Sequence, residues 1–162
     1  PMGPPITSAT SLRAACAVMC MLAAGAAHAQ TYKLNLPMDD DPDTVLQTIA
    51  VLAKETRITL LLKNTSDDDV GVCVHPAGAA DAFTLRALDT GDVLQQTAFS
   101  GVSDCSVRRD TVRPGKQKTL RLIFPRLPKG ATRLQLGEND CQPNADADVQ
   151  NWCFRDIELT AP

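Results

Sequence analysis

Short runs of alternating apolar and polar residues, separated by turn-forming residues, dominate the chain from residue 57 onward. In the segment 57–63, Ile58, Leu60 and Leu62 share one side. A period of two residues is typical of a β-strand with one buried face. The same alternation recurs in residues 83–88, 118–124, 131–136 and 153–159. Together these segments predict an all-β domain.

Turn-forming residues stand where particular turns require them. Asp89-Thr90-Gly91-Asp92 predicts a hairpin in which residues 93–99 pair with residues 83–88. In Arg113-Pro114-Gly115-Lys116, proline fixes φ at the second position and glycine accepts a positive φ at the third, as a type II turn requires. In the final segment, alternation places Phe154 on one side and four residues on the other: Cys153, Arg155, Ile157 and Leu159.

The segment Val45–Glu55 fits two structures. Its apolar residues follow a nearly helical period, and Asp43 or Thr44 would cap such a helix. As a strand, it would instead point Val45, Ile49 and Val51 inward and pair with the strand that follows. We favour the strand because the surrounding elements are strands spaced by turns; the helix remains the alternative.

The number and spacing of these elements predict the architecture. About seven short strands separated by turns are typical of an antiparallel β-sandwich, and a small closed β-barrel is the alternative. Aromatic residues make up 4% of the chain, so the core must consist mainly of Leu, Ile, Val and Ala. Such a core buries less area per residue, and cross-links then contribute a larger share of the stability.

The N-terminal residues have the pattern of a secretory signal peptide. Met2 to Ala29 contains Arg13, an apolar run over residues 14–24, and a closing Ala27-His28-Ala29. We therefore expect cleavage between Ala29 and Gln30, and a periplasmic or extracellular location. Pro1, which precedes Met2, is interpreted as a residue outside the natural chain. Residues 30–162 are then one domain with no predicted transmembrane segment.

Four cysteines follow the leader, and an oxidising compartment would pair them. They permit three pairings. Cys141 and Cys153 stand on either side of a polar loop, and Cys73 and Cys105 bracket the central hairpin. We favour the 73–105 and 141–153 disulfides. The spacing of these cysteines lacks the C-x-x-C pairs of zinc sites and of redox-active thiols.

Charge is unevenly distributed along the chain. Removing Arg13 with the leader changes the formal charge of −3 to −4, which disfavours nucleic-acid binding, and the basic segment has no interleaved aromatic residues. Basic residues nevertheless concentrate between Arg108 and Arg133. We interpret this segment as a surface that steers a charged protein partner. The candidate partner-binding residues are Arg108, Arg109, Arg113, Lys116 and Arg121.

The residues offer little for catalysis. His75 is the only histidine after the leader, and no Gly-x-Ser-x-Gly motif occurs. We therefore predict no catalytic residues and no cofactor, with a hydrolase as the weakest alternative. Calcium is the alternative ligand, because an acidic loop offers oxygen atoms that could bind it, although EF-hand spacing is absent. The candidate ligands are Asp140, Asn144, Asp146 and Asp148.

Several turn and core positions resemble a known group of proteins. The turn Pro114-Gly115-Lys116, the core residues Leu120, Leu122 and Phe124, and the segments 127–132 and 154–157 resemble the closing strands of small bacterial secreted proteins with an immunoglobulin-like β-sandwich. Asn64-Thr65-Ser66, following Leu60-Leu61-Leu62, is similar to the end of the second strand in that group. The resemblance implies an immunoglobulin-like fold and, at the level of class, an extracytoplasmic binding, adhesion or inhibitor module.

These observations predict an exported, non-enzymatic binding module, in a specific version an inhibitor or immunity-type protein that acts on another exported protein. The alternative is a calcium- or carbohydrate-binding accessory domain that uses the acidic loop.

Overall fold

The computed structural model describes Gly3 and residues 28–160, so the predicted signal peptide falls almost wholly outside the described residues. Eleven strands and one 3₁₀ turn (Asn139–Cys141) make up the regular structure of residues 28–160. The strands are β1 (Gln30–Pro37), β2 (Thr44–Val51), β3 (Glu55–Lys63), β4 (Val70–Val72), β5 (Phe83–Ala87), β6 (Val93–Gln95), β7 (Ala98–Ser100), β8 (Asp110–Val112), β9 (Gln117–Pro125), β10 (Arg133–Glu138) and β11 (Cys153–Glu158).

The strands form antiparallel sheets that pack as a sandwich and do not close into a barrel. A five-stranded sheet has the order β1-β2-β3-β9-β7, a four-stranded sheet has the order β11-β10-β5-β6, and β4 pairs with β8. The inward side chains of both large sheets meet in one hydrophobic cluster. The all-β sandwich predicted from the sequence is therefore confirmed. Among residues 28–160, no helix is long and apolar enough to cross a membrane.

The strand count exceeds the expected seven because β1, β4 and β8 were not predicted and the segment 93–99 divides into two strands. β4 and β8 have three residues each, too few to show an alternating pattern. β1 alternates half-buried and exposed residues over eight positions, and the prediction missed it. The segment 93–99, expected to be one hairpin partner, divides between both sheets: β6 pairs with β5, whereas β7 pairs with β9. The side chain of Gln96 secures the crossing, because it accepts the Phe83 N–H at 2.9 Å and donates to the His75 carbonyl at 3.0 Å.

The ambiguous segment Val45–Glu55 begins with a strand, β2, and the helical alternative is wrong. Its helix-like spacing comes from a β-bulge: Leu46 pairs with Leu60 and Thr48 with Thr59, which leaves Gln47 as an extra residue. The bulge shifts the alternation, so Leu46 and Ile49 are both buried although they are three residues apart. Ile49 points inward as expected; Val45 and Val51 are only half-buried.

A second bulge changes the sides of β11. Leu134 pairs with Ile157 but Leu136 pairs with Phe154, and Asp156 adopts a left-handed φ of 55° in between. Phe154 and Ile157 consequently share the buried face, while Arg155 is exposed. The predicted side for Phe154 and for Arg155 is therefore wrong, because the alternation assumes an unbroken strand.

The predicted turns and disulfides are confirmed. Gly91 and Gly115 have φ of 81° and 72°, and the Lys116 N–H donates to the Arg113 carbonyl at 3.0 Å. Cys73 pairs with Cys105, and Cys141 pairs with Cys153. Because each bridge restricts the unfolded chain, each contributes roughly 2–4 kcal/mol to stability.

Gly101, which follows β7, supplies a test of this packing. Its φ is 93°, and a Cβ there would lie 1.9 Å from the Thr119 carbonyl oxygen. We expect Gly101→Ala to lower the free energy of unfolding by roughly 3 kcal/mol or more. Alanine would be strained at this positive φ, and the backbone at Thr119 would also have to move away from the new Cβ. The control is Gly91→Ala, at a φ of 81° with open space around it, which should cost about 1–2 kcal/mol. If urea unfolding gave the same decrease in the free energy of unfolding for both variants, the close contact between Gly101 and Thr119 would be contradicted.

Candidate functional site

A cleft of about 270 Å³ opens at one end of the sandwich. This is the end at which β3 finishes and β5, β9 and β11 begin, and we call it the disulfide end because it carries both disulfides. The end of β3, the β4–β8 pair and the loop 142–152 line the cleft. The lining includes the side chains of Lys63, His75, Arg109, Glu138, Asp148 and Trp152.

Cross-links hold two walls of the cleft in place. The Cys73–Cys105 bridge itself lines the cleft, and two hydrogen bonds reinforce it: Val74 N–H to the Ser103 carbonyl and Cys105 N–H to the Val74 carbonyl, both at 2.9 Å. The Cys141–Cys153 bridge closes the other loop. Within that loop, Asn151 donates to the Gln142 carbonyl at 2.9 Å and accepts from Asn144 at 3.0 Å. The walls are therefore ordered before any ligand arrives.

Glu138 is the buried charged group of the cleft. It follows Leu134 and Leu136 on the inner side of β10, and only 7% of its surface is exposed. Its Oε2 accepts the Trp152 backbone N–H at 2.9 Å. The Trp152 ring packs on Phe83, with ring centroids 5.8 Å apart. A carboxyl group thus occupies a position where the strand pattern would place another apolar side chain.

The surroundings of Glu138 favour its neutral form. Burial raises the pKa of Glu138 to about 7, the hydrogen bond from Trp152 opposes the shift, and the negative charge of Asp81 adds to it. Burial removes the water that would solvate the carboxylate, and this desolvation is the largest cause. The group therefore changes its charge near neutral pH.

The basic residues predicted to bind a partner do not form one surface. Arg109 lines the cleft, and its Cδ lies against Gly71. Arg108 precedes it, and Arg113 and Lys116 stand in the neighbouring turn between β8 and β9. Arg121 lies on the solvent face of the five-stranded sheet, in register with Thr59 and Ser100, and so is separate from the other four.

Asp110 anchors the loop that carries Arg108 and Arg109. Its carboxylate accepts the Ser103 N–H at 2.9 Å, the Ser103 hydroxyl at 2.6 Å and Lys118 Nζ at 3.1 Å. Arg108 Nε lies 3.6 Å from the same carboxylate, and its side chain remains 72% exposed. The hydrogen bonds from Ser103 and Lys118 lower the pKa of Asp110 to about 2. The loop is therefore held by a charged carboxylate at all ordinary pH values.

The four candidate calcium ligands have other contacts. Asp140 forms an ion pair with Arg86, whose Nε lies 3.2 Å from Asp140 Oδ1. Asn144 and Asp146 accept backbone N–H groups two residues ahead, at 2.9 and 3.0 Å. Asp148, the fourth, lines the cleft. Within residues 28–160, no three His, Cys, Asp or Glu side chains are grouped as a metal site. The calcium hypothesis stays a prediction.

Sequence reasoning missed Glu138 and Trp152. The alternation of Leu134 and Leu136 was assigned to a strand ending at residue 136, whereas β10 continues to Glu138. Extending the same alternation by one step would have placed Glu138 inside.

Comparisons of the chain with protein-family models, with curated proteins and with solved structures found no match.

The raised pKa of Glu138 predicts a dependence of stability on pH. The folded state binds this proton more tightly than the unfolded state, so the stabilisation is complete below pH 4.5 and is lost as pH rises through about 7. We expect Glu138→Gln, which keeps an acceptor for Trp152, to be more stable than the wild type at pH 8 by up to about 3 kcal/mol. Parallel wild-type and variant curves between pH 5 and pH 8 in urea unfolding would contradict this prediction.

Asp110 predicts the opposite dependence. Its stabilisation is present above pH 3.8 and is lost as pH falls through about 2. We expect Asp110→Asn to lower the melting temperature at pH 7 by several degrees, and the difference from the wild type to shrink as pH approaches 2. Asp67→Asn, at an exposed loop position, is the control and should leave the melting temperature unchanged. A deficit in Asp110→Asn that stayed constant down to pH 2 would exclude an ionic role.

Proposed function

We propose that the protein is an exported, non-enzymatic binding module that recognises another exported protein through the cleft and through Arg108 and Arg109 beside it. The observation that carries this proposal is the pair of disulfides that orders the loops of one end around a cleft. Loops held on a rigid scaffold are the usual place for recognition, and loops ordered in advance lose less entropy on binding.

The charges at the disulfide end support a protein partner. Arg108 is 72% exposed, and Arg109 is exposed at the wall of the cleft. Exposed charges of one sign accelerate association with a partner of opposite sign and help to select it. The partner would therefore present acidic groups to these two arginines. An inhibitor or immunity-type protein, which blocks an exported target by covering it, is the specific version of this function.

Two features support export. Both disulfides are formed, and such bonds persist in oxidising compartments. The first strand, β1, begins at Gln30, immediately after the predicted cleavage site. Cleavage between Ala29 and Gln30 would thus release the domain with β1 whole, in the periplasm or outside the cell.

Charge reversal tests the role of the two arginines. We expect the wild-type protein to retain a partner from the exported fraction in a salt-sensitive manner, and the double variant Arg108→Glu, Arg109→Glu to bind that purified partner at least tenfold more weakly, because two attractive contacts become repulsive. Titration of the dissociation constant against salt is the measurement.

The control reverses two charges elsewhere. Lys129 and Arg133 are exposed and lie toward the opposite end of the sandwich: Lys129 follows the far end of β9, and Arg133 begins β10, about 17 Å along that strand from Glu138. Lys129→Glu with Arg133→Glu should change the affinity less than twofold. Equal losses in both double variants would point to net charge and would refute the proposed surface.

A further inference from the structure

Glu138 is a buried acid without a basic partner in the described part of the chain. The ion pairs formed by residues 28–160 join Arg57 to Glu55, Arg86 to Asp140, and Arg108 and Lys118 to Asp110. None involves Glu138. A carboxylate taken out of water without a counter-charge costs free energy, whereas an apolar residue after Leu134 and Leu136 would extend the core. Folding alone therefore does not explain an acid at this position.

The carboxyl group of Glu138 is nevertheless reachable from the cleft. Oε2 is occupied by the Trp152 N–H at 2.9 Å, and Oε1 receives no hydrogen bond from residues 28–160. Glu138 also belongs to the lining of the cleft. No polar side-chain atom in the described residues is both fully occluded and unbonded. Oε1 therefore retains a small accessible surface, which a group in the cleft can reach.

We propose that the cleft binds a cationic side chain of the partner, an ammonium or guanidinium group on an alkyl stem, which pairs with the carboxylate of Glu138. This inference rests on the proposed function, since it names the chemistry that the partner inserts. Leu62, Val72 and Val112 line the same cleft and would contact the methylene stem. The volume, about 270 Å³, is below the range of about 300–1,000 Å³ usual for drug-sized ligands and suits one side chain.

Other charged groups around the cleft would also attract or repel the bound cation. Asp41 and Asp148 line it as acids, and Lys63, His75 and Arg109 line it as bases. The oxygens of Asp41 already accept the Asp43 N–H and the Thr44 hydroxyl, at 3.1 and 2.7 Å. Asp81 adds negative charge near Glu138. Arg109 and Lys63 oppose the binding of a cation, so the pairing with Glu138 must exceed this repulsion, and acidic neighbours of the inserted residue would add to the affinity.

Binding is then linked to ionisation of Glu138. The group is about half protonated near pH 7, and a bound cation favours the carboxylate. Binding must therefore release a proton at and below neutral pH and must strengthen as pH rises. With a pKa of about 7, the ionised fraction rises about tenfold between pH 6 and pH 8, and the affinity should rise by the same factor.

The experiment uses a minimal ligand in place of the partner. Nα-acetyl-lysine methylamide is the probe, the norleucine amide, which has the same carbon stem without the ammonium group, is its neutral control, and the arginine amide tests the guanidinium source. Chemical shifts of Glu138 and Trp152 are followed by NMR on the folded domain at pH 6 and pH 8. We expect the lysine or arginine probe to bind about tenfold more tightly at pH 8, and norleucine to bind at least tenfold more weakly than that probe.

Substitution of Glu138 separates its role from that of other acids. Glu138→Gln and Glu138→Met should both lose the affinity for the cationic probe and its pH dependence. Asp92→Asn, at an exposed turn position outside the lining of the cleft, is the control and should retain both within about threefold. Melting curves confirm that each variant is folded.

Several outcomes would overturn the inference. The first three are equal binding of the norleucine amide, an affinity for the cationic probe that is independent of pH, and retention of binding by the Glu138 variants. The fourth is the absence of any change in the Glu138 and Trp152 chemical shifts at up to about 10 mM probe, which corresponds to less than about 3 kcal/mol of binding free energy. The probe assay does not involve Arg108, Arg109 or a protein partner. A negative result here with a positive charge-reversal result would reject the cationic residue and leave the proposed function standing.

Discussion

The Cys141–Cys153 disulfide is the constraint on which the disulfide end depends. It lies directly on β10: Gly137 pairs with Cys153, and a Cβ on Gly137 would lie 2.2 Å from Cys141 Sγ. Three successive residues with positive φ, Asn139 to Cys141, turn the chain back over the sheet. This reversal is possible because position 137 has no side chain. It places Trp152 beside Glu138, so that the strand, the bridge and the cleft wall form one unit.

A buried carboxyl group makes this end less stable than the core would allow. Elsewhere the sandwich packs Leu, Ile and Phe side chains in a continuous cluster, and the desolvated Glu138 opposes that gain above neutral pH. The two disulfides and the Asp110 network stabilise the same end in compensation. Binding sites commonly lower stability in this way, because groups arranged for a ligand are imperfectly satisfied without it.

Prediction from sequence succeeds where the information is local. Burial alternates along β3 and along most of β9, the turn at 113–116 contains the residues its type requires, and Cys141 and Cys153 are only 12 residues apart in sequence. It fails at the bulges of β2 and β11, since an extra residue is identified only by its pairing with a neighbouring strand. It also misses Glu138: the alternation of Leu134 and Leu136 extends to this position, but an acid at the end of a strand is usually exposed, and its burial depends on contacts from other parts of the chain, such as the Trp152 N–H.

The disulfide end carries an exposed charge, on Arg108, and a buried ionisable group, Glu138, and the two interact with their surroundings in different ways. Arg108 is largely in water, where salt screens its field within about 10 Å, so in the proposed complex it would act on the approach of the partner and on the rate of association. Glu138 is desolvated and bonded to Trp152, so its interaction is short-ranged, little affected by salt and dependent on pH. An exposed cation can attract many acidic proteins. A buried acid accepts only a partner that brings the matching cation to the right depth, so in the proposed complex selectivity would reside in Glu138 more than in the arginines that would first meet the partner.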